Sequence, residues 1–407
     1  MKAWKNSKLG NHIDLLTGYP FRSKQYTDNE SDIRLLRGDN IAQGSLRWEN
    51  AKKWPLCLTQ GLEKYYLKPG DLVIAMDRTW VKAGLKVAPI TEPDTPCFLV
   101  QRVARLRAKN DLDSYFLYLL VRSHKFEQYV KGVQTETAVP HISALQIRQY
   151  PITLPPLSEQ TTIADLLSIW DAAIEKTEKL IAAKEKQMNA LYQLFFQPGM
   201  SANSSWNSTK IGQFMTPRKE REVPSEEIPL FSLTIEDGVT PKTDRYNRDF
   251  LVKDNGSKTY KVVYPGDIVF NPSNLRWGAI ARSHVEHKVV ISPIYEVLKI
   301  KTDKIDPVFL EHALTCQRQI GIFATRTEGT LIERMAVKLD AFLLTEIMVP
   351  PTIDEQQKVA SFLDIARGEI KLLKSQVAAY RKQKRGLMQK LLTGQWRVNH
   401  VEACNGP

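Results

Sequence analysis

Two stretches of this chain decide its architecture, Pro155-Pro156-Leu157-Ser158-Glu159-Gln160 and Pro350-Pro351-Thr352-Ile353-Asp354-Glu355-Gln356, because each opens a long apolar-periodic run. The second run repeats the register of the first 196 residues later, as from Ile163 to Val359. An internal repeat sets the architecture of a chain before any local motif is considered. The sequence therefore predicts two equivalent long helices, one in the middle of the chain and one near its end.

Apolar residues in both runs are spaced alternately four and three residues apart, which is the pattern of a coiled-coil seam. The predicted seam residues are Ile163, Leu167, Trp170, Ile174 and Ile181 in the first run and Val359, Leu363, Ile370, Leu373 and Val377 in the second. Polar residues at Thr177, Lys184 and Lys384 would weaken the pairing locally and help to fix its register. We expect the two helices to pair antiparallel with each other. The alternative is two separate amphipathic helices, each packed on its own domain.

The repeat also divides the chain into domains, and 407 residues are too many for one ordinary core. The predicted divisions are a globular segment at 1–154, a long helix at 155–200, a second globular segment at 201–349, a second long helix at 350–397 and a tail at 398–407. The predicted fold class is α+β, with two related domains and pseudo-two-fold, circular symmetry. Trp396 follows the second helix as Trp206 follows the first, so the two ends of the chain are expected to meet.

The two globular segments share a Pro-Gly-Asp turn that leads into an apolar run, at Asp71 and at Asp267. Such a turn predicts a buried strand directly after it, and it accounts for both aspartates without catalysis. Between these shared points the segments diverge. One scaffold with unlike insertions suits a protein that recognises two different targets.

Composition favours a polyanionic partner, with nucleic acid first, because 57 Lys and Arg residues outnumber 45 Asp and Glu residues and give a net charge of +12. The four cysteines are widely scattered, which fits a reducing cytoplasm better than a disulfide framework or a metal site. No apolar run is long enough to span a bilayer, and no signal peptide is recognisable at the N-terminus. We therefore expect a cytoplasmic protein.

Motifs that would carry catalysis are missing from the sequence, which has no phosphate-binding Gly-rich loop, no His-Glu-x-x-His and no Cys-x-x-Cys. Asn271-Pro272-Ser273-Asn274 lacks the aromatic residue that would stack on a flipped base, so it is interpreted as a loop. His284 and His287 have no further ligands nearby in the sequence, and an exposed turn explains them better than a metal. The expectation is a chain with no catalytic residues and no metal of its own.

The doubled Pro-Pro motif with its long helix resembles the specificity subunit of type I restriction–modification enzymes. Further resemblance lies in Gly18-Tyr19-Pro20-Phe21-Arg22-Ser23, in Val139-Pro140-His141-Ile142-Ser143 and in Gly386-Leu387-Met388-Gln389-Lys390-Leu391-Leu392-Thr393-Gly394. The second half departs from the first by spacing its Pro-Pro and Glu-Gln pairs one residue wider, and by Ile332-Glu333-Arg334 near the place of Pro-His-Ile.

The resemblance implies that each globular segment is a target recognition domain, which reads one half of a split, asymmetric sequence in double-stranded DNA. The helices would then be a spacer that docks two methyltransferase subunits. Those partners would bring S-adenosylmethionine for DNA methylation, and motor-nuclease subunits would bring ATP and Mg²⁺ to complete the restriction system.

Base reading requires side chains that donate and accept hydrogen bonds at base edges, above all Arg, Lys, Asn and Gln. The candidate DNA-binding residues are Lys24, Arg37, Arg78, Trp80 and Lys82 in the first segment and Arg245, Arg248, Asn274, Arg276 and Trp277 in the second. The ordinary alternative is a solvated surface charge for each cation and a core position for each tryptophan.

Two other classes of function remain open at this point. A non-catalytic scaffold would use the helices to bridge protein partners, and it would show no sequence-selective DNA contact. A stand-alone DNA-modifying enzyme would act on DNA as the purified chain.

Overall fold

A computed structural model describes residues 3–81, 84–135, 140–199, 205–242, 258–329 and 335–398. The chain forms two compact units, one made of Met1–Lys176 with Val377–Pro407 and the other of Thr177–Gln376. Each long helix therefore contributes to both units, whereas the predicted domain boundaries assign each helix to a region of its own. No helix within the described ranges is long and apolar enough to cross a membrane.

The first globular segment contains eleven of the described strands and three short helices. Its strands are β1 (Lys5–Lys8), β2 (Ile13–Thr17), β3 (Ile33–Leu36), β4 (Lys53–Trp54), β5 (Leu72–Ala75), β6 (Trp80–Val81), β7 (Gly84–Leu85), β8 (Val87–Pro89), β9 (Cys97–Leu99), β10 (Val103–Ala108) and β11 (Pro151–Leu154). Its helices are α1 (Ser114–Val121), α2 (His124–Val133) and α3 (Ala144–Gln149). The first long helix, α4 (Leu157–Phe196), follows directly.

The sheets of this segment are short and mostly antiparallel. β2, β10, β5 and β8 form a four-stranded sheet in that order, and β4, β3 and β9 form a three-stranded one in which β3 and β9 are parallel. β1 pairs with β11, so the start and the end of the segment lie side by side. Alternate residues of β5 pack into different clusters, Leu72 and Ile74 into one and Val73 and Ala75 into another. This two-sided burial explains why β5 is apolar throughout.

The second globular segment repeats much of this plan. Its strands are β12 (Asn207–Lys210), β13 (Met215–Pro217), β14 (Arg221–Glu222), β15 (Leu230–Thr234), β16 (Gly238–Pro241), β17 (Tyr260–Val263), β18 (Ile268–Phe270), β19 (Ile280–Arg282), β20 (Val289–Ile291), β21 (Glu296–Ile300) and β22 (Glu346–Val349). Its helices are α5 (Pro307–Thr315), α6 (Gln317–Thr325) and α7 (Leu339–Leu343), and the second long helix is α8 (Ile353–Leu392). β12 pairs with β22 as β1 pairs with β11. β18 directly follows the Pro-Gly-Asp turn at Asp267, as β5 follows the one at Asp71.

The two long helices, each of 40 residues, pair antiparallel within each unit. In the first unit the ring centroids of Trp170 and Tyr380 are 5.8 Å apart. In the second unit Lys374 Nζ lies 2.7 Å from Glu185, and Lys184 Nζ lies 2.8 Å from Glu369. Among the predicted seam residues, Ile163, Leu167, Leu363 and Val377 are buried, and Trp170, Ile174, Ile181, Val359, Ile370 and Leu373 are half-buried.

The glutamine of each Pro-Pro motif is buried and ties its long helix to the globular segment before it. The side-chain oxygen of Gln160 accepts the backbone N–H of Asp113 at 3.0 Å, and that of Gln356 accepts the N–H of Asp306 at 2.8 Å. The amide nitrogen of each glutamine donates to the carbonyl of the first proline in its own motif, at 3.0 and 3.3 Å. Asp113 and Asp306 in turn cap the N-termini of α1 and α5. The repeated motif therefore fixes the start of each long helix to the N-terminus of a short helix in the globular segment before it.

Trp4 and Arg397, near the two limits of the described residues, meet in the first unit. Trp4 Nε1 donates to the Glu159 carboxylate at 3.1 Å, and Arg397 binds the same carboxylate at 2.7 and 2.9 Å. Burial alone would raise the pKa of Glu159, but the hydrogen bonds from Arg397 and Trp4 outweigh it and lower that pKa. Gly394 has a φ of +72°, and a Cβ there would lie 3.4 Å from the Trp4 ring.

Candidate nucleic-acid interface

Both aspartates of the Pro-Gly-Asp turns are occupied by structural partners. Each accepts the backbone N–H three residues earlier, at 2.8 Å for Asp71 and 2.9 Å for Asp267. Arg107 binds Asp71 through two nitrogens at 2.6 and 2.8 Å, and Arg218 Nε lies 2.5 Å from Asp267. Burial raises the pKa of Asp267 although Arg218 opposes the shift. Both carboxylates are buried and stabilise the conformation of their turns, which is a structural role.

The structure brings two of the first-segment candidates into one basic cluster. Arg37 pairs with Asp39 at 3.3 Å. Partial burial lowers the pKa of Lys86, the nearby Asp39 carboxylate opposes this, and the guanidinium groups of Arg78 and Arg47 lower the pKa further. We define the basic cluster as Arg37, Arg47, Arg78 and Lys86. Among the described residues, Asp39 is the one carboxylate that forms an ion pair with any of these four cations, and a surface with such an excess of cations attracts phosphate groups.

The other first-segment candidates lie apart from this cluster or outside the described residues. Lys24 is exposed on a single 3₁₀ turn at Ser23–Gln25. Trp80 is half-buried, donates from Nε1 to Gln134 at 3.0 Å and has Lys131 Nζ 4.9 Å from its ring centroid. Lys82 is not among the described residues. Trp80 thus has a packing role in addition to any role at an interface.

In the second segment, three candidates share one turn, in which Trp277 is exposed and Asn274 and Arg276 are half-buried. Asn274 precedes the 3₁₀ turn at Leu275–Trp277, and its carbonyl accepts the backbone N–H of Trp277 at 3.0 Å. The Arg276 guanidinium stacks 4.1 Å from the Trp277 ring centroid, and Trp277 is 58% exposed. An exposed indole beside a cation suits contact with nucleic acid. Arg245 and Arg248 lie outside the described residues.

The sequence predictions did not include Arg47 and Lys86, which the structure adds to the basic cluster. Lys86 separates two buried apolar residues, Leu85 and Val87, and such alternation indicates an outward-facing position. Arg47 lies on the loop after Asn40, and its backbone N–H donates to the Asn40 carbonyl at 2.8 Å. Because this loop folds back on itself, Arg47 comes close enough to Lys86 for its charge to lower the Lys86 pKa, and the sequence alone does not show this proximity.

Where the first segment meets the long helices, the first unit contains a small polar network. Asp171 of α4 accepts hydrogen bonds from the Tyr115 hydroxyl and from Lys384 Nζ of α8. Burial lowers the pKa of Lys384, and Asp171 opposes the shift. Burial and the hydrogen bond to Asp171 raise the pKa of Tyr115. These three residues form the first junction.

The matching region of the second unit contains a larger network, in which α5 meets both long helices. Glu311 is bound by Arg282 Nε at 2.7 Å and by Arg367 Nη1 of α8 at 2.6 Å. His312 is fully buried, and its Nδ1 lies 2.6 Å from Arg367 Nη2 and 3.0 Å from the Tyr192 hydroxyl of α4. We call these five residues the second junction. Because a guanidinium only donates, His312 Nδ1 must be an acceptor and its imidazole neutral.

The electrostatics of the second junction favour a charged Glu311 and a neutral His312. Burial alone would raise the pKa of Glu311, but contacts with His284, Arg367 and Arg282 outweigh it and lower the pKa to about 2. Burial, reinforced by the charge of Arg367, lowers the pKa of His312 to about 4. His284, considered from the sequence as a metal ligand, is mostly exposed and lies 3.5 Å from Glu311.

Comparison with known proteins adds a sequence relationship over the first half of the chain. Residues 1–185 match the family described as type I restriction modification DNA specificity domain. The type I restriction enzyme EcoAI specificity subunit of Escherichia coli is 34% identical over 180 residues, which is 44% of this chain and 30% of that subunit. The MjaVIII specificity subunit of Methanocaldococcus jannaschii is 30% identical over 193 residues, 46% of this chain and 45% of that subunit. The chain thus spans less than half the length of either relative in these matches.

The fold relationship extends over nearly the whole chain. The S subunit of a type I restriction–modification system from M. genitalium superposes with a TM-score of 0.60, over 96% of both chains, at 15% identity. At that identity the likeness establishes the fold alone. The prediction of an α+β fold with two related segments and two long, antiparallel helices is confirmed.

Proposed function

We propose that this chain, whose residues 1–185 match the type I restriction modification DNA specificity domain, is a specificity protein of that kind and serves as the DNA sequence-recognition subunit of such a complex. Its two globular segments would each read one half of a split, asymmetric target in double-stranded DNA. The chain itself would supply recognition, and partner subunits would supply the chemistry.

The observation that carries this proposal is that the two segments share a buried frame but differ in the residues of the turns beside it. β5 and β18 follow the same Pro-Gly-Asp turn, and both are fully buried. Beyond them, the first segment presents the basic cluster, and the second presents Arg276 stacked on an exposed Trp277. Two recognition surfaces of different chemistry on one scaffold suit two different half-sites.

The paired helices would act as the spacer between half-sites. A helix of 40 residues extends about 60 Å. Ion pairs such as Lys374–Glu185, on top of the apolar seam, support a defined register for the pair. Joint occupancy of two half-sites would then depend on their separation, and linkage of two weak contacts would multiply specificity.

The partners in this proposal are two methyltransferase subunits and, for cleavage, two motor-nuclease subunits. S-adenosylmethionine would be bound by the methyltransferases, and ATP and Mg²⁺ by the motor-nuclease subunits. The repeat supports paired docking, because equivalent positions on α4 and α8 could each receive one copy of the same partner.

The test is to map methylated adenine across the genome of cells that express this chain with the methyltransferase of the same system. Cells that lack only this chain are the control. The expected result is a split motif that appears only when the chain is present. A complex that assembles without producing any motif would favour the scaffold alternative, and DNA modification by the purified chain alone would favour the enzyme alternative.

A further inference from the structure

The turn that follows β5 presents Arg78 in an unusual backbone conformation. Arg78 has a φ of +46°, in the left-handed region that non-glycine residues rarely adopt, and its side chain is exposed. Its backbone N–H donates to the Pro140 carbonyl at 2.9 Å, which holds the turn against a second loop. A strained residue of this kind persists only where its surroundings fix it, and such residues cluster at functional sites.

Side chains from two other loops fix this turn. His141 Nδ1 lies 2.5 Å from one oxygen of Asp77, and Arg102 Nε lies 3.4 Å from the other. Since a carboxylate only accepts hydrogen bonds, His141 Nδ1 must carry the proton in this contact. Arg102 itself has a φ of +73°, and its carbonyl accepts the backbone N–H of Met76 at 2.8 Å. We define the clamp as Asp77, Arg102 and His141.

The clamp places Arg78 at the basic cluster. The guanidinium groups of Arg78 and Arg47 both lower the pKa of Lys86. The backbone N–H of Lys86 donates to the carbonyl of Thr79, the residue after Arg78, at 2.8 Å. No carboxylate among the described residues forms an ion pair with Arg78 or Arg47. Flexible cations suffice for phosphate contacts, whereas a side chain that reads a base edge has to be held in position.

The second segment keeps the backbone of this arrangement without the clamp. Val337 donates to the Pro272 carbonyl at 3.0 Å, as Ile142 donates to the Met76 carbonyl at 2.9 Å. In the register set by these two bonds, Ser273 replaces Asp77 and Ala336 replaces His141. The clamp is therefore an addition to the shared frame, confined to the first segment.

We propose that Arg78 reads a guanine in the major groove of the half-site bound by the first segment, and that the clamp is the positioning device for this contact. The inference rests on the proposed function and assigns one base to one residue. Arginine donates two parallel hydrogen bonds to O6 and N7 of guanine, a contact that requires a fixed approach. Arg37, Arg47 and Lys86 contact the neighbouring phosphates.

The experiment uses the full chain in complex with its methyltransferase and a set of duplexes that carry the mapped motif with one base pair changed at a time. Three variants are compared, Arg78→Gly, His141→Ala and the double variant. Glycine suits the positive φ, so Arg78→Gly removes the guanidinium and relieves the strain. Asn50→Gly is the matched control, because Asn50 also has a positive φ, of 59°, and is not part of the cluster.

Arg78→Gly is expected to lower discrimination at one G·C pair of one half-site by roughly 5- to 150-fold. Discrimination at every other position, including the whole other half-site, is expected to be retained. His141→Ala is expected to relax the same position by a smaller factor, and to have no further effect once Arg78 is glycine. Asn50→Gly is expected to leave the pattern unchanged.

Several results would overturn the inference while leaving the proposed function in place. One is full discrimination by Arg78→Gly at every position, and another is an equal loss of affinity for all sequences, which would make Arg78 a phosphate contact. If His141→Ala acts equally in the presence and absence of Arg78, the clamp is not a positioning device. Failure of the wild-type complex to produce any motif would instead reject the proposed function, and the inference with it.

Discussion

Positions 171 and 367 occupy the same step of the repeat, but one carries an aspartate and the other an arginine. In the first junction Asp171 accepts from Tyr115 and Lys384. In the second junction Arg367 donates to Glu311 and His312. The backbone frame is repeated, whereas the polar chemistry that joins each segment to the helices is reversed in charge. Each segment is therefore fitted to its own part of the helix pair, and exchanging the segments would bury charges without partners.

The largest expected effect comes from breaking the second junction with Arg367→Ala. Loss of Arg367 leaves Glu311, which is 7% exposed, with Arg282 as its main partner and removes a donor from buried His312. We expect the free energy of unfolding of the second unit to fall by about 3–4 kcal/mol. Hydrogen exchange of peptides from α5 measures the change in the free energy of unfolding of the second unit. Lys371→Ala, at an exposed position of α8, is the control. Equal protection of α5 in both variants would contradict the prediction.

The second junction should also make the stability of its unit depend on pH. The pKa of His312 is lowered from 6.5 to about 4, so its contribution is complete above pH 6.5 and is lost as the pH falls towards 4. The loss should amount to roughly 2–3 kcal/mol. Glu311, with a pKa lowered from 4.5 to about 2, adds a second loss below pH 4.5.

His312→Leu separates these two effects, because leucine is the residue at the matching position of α1, Leu119. The decrease in stability between pH 6.5 and 4 is expected to be much smaller in this variant, while the decrease below pH 4.5 is retained. Denaturant unfolding at a series of pH values, with His124→Leu as control for an exposed histidine, makes the measurement. An unchanged pH profile would show that His312 is not the responsible group.

A smaller effect is expected at the first junction from Lys384→Met, which introduces the residue found at the equivalent position of α4, Met188. Asp171 keeps Tyr115 as a partner and is partly exposed, so the loss should be about 1–2 kcal/mol. The double variant Asp171→Leu with Lys384→Met is expected to regain most of this loss, because no unpaired charge remains. Denaturant midpoints of the single and double variants decide the matter. A double variant less stable than the single one would mean that the ion pair itself stabilises the junction.

The smallest effect concerns Trp4 and its counterpart Trp206, because a polar contact holds this tryptophan in the first unit and stacked rings hold it in the second. Trp4 bonds to Glu159, whereas Trp206 stacks on Phe195 at an interplanar angle of 5°. Arg397→Ala is expected to lower the melting temperature slightly and to shift the pKa of Glu159 upward, while Arg397→Lys retains part of the contact. A carboxylate titration by NMR follows the pKa. No change in that titration would place Arg397 outside the network.

Much of the fold was predictable because its strongest signals are local and periodic. The 4/3 spacing from Ile163 onwards indicated a paired helix, and the turn before Asp71 indicated a buried strand that the structure contains as β5. The second junction was not predictable, since Tyr192, His312 and Arg367 come from three distant parts of the chain. Nothing in the spacing of these residues shows that they meet.

The candidate DNA-binding residues also fall into those predictable from local sequence and those that depend on tertiary contacts. Arg37 and Arg78 were chosen from charged, turn-like sequence, and the structure places them in one cluster. Lys86 and Arg47 were missed because only the packing of one loop on another brings their charges together. The positive φ of Arg78 has no sequence signature either, because it is imposed by hydrogen bonds to Pro140 and by the clamp.

The division of both long helices between the two units has a consequence for how the chain folds as it is synthesised. The second unit, Thr177–Gln376, is continuous in sequence, whereas the first unit is completed only by Val377–Pro407. Its core contains Leu391 and Leu392, which leave the ribosome only after the whole of the second unit. Domains usually fold in the order in which they are made. The globular segment of the first unit is made before the second unit, yet its core is completed only when residues 377–392 have been made. Until then Ile163 and Leu167 lack the part of their core that Leu391 and Leu392 supply, and they are exposed to chaperones and to non-native helix contacts.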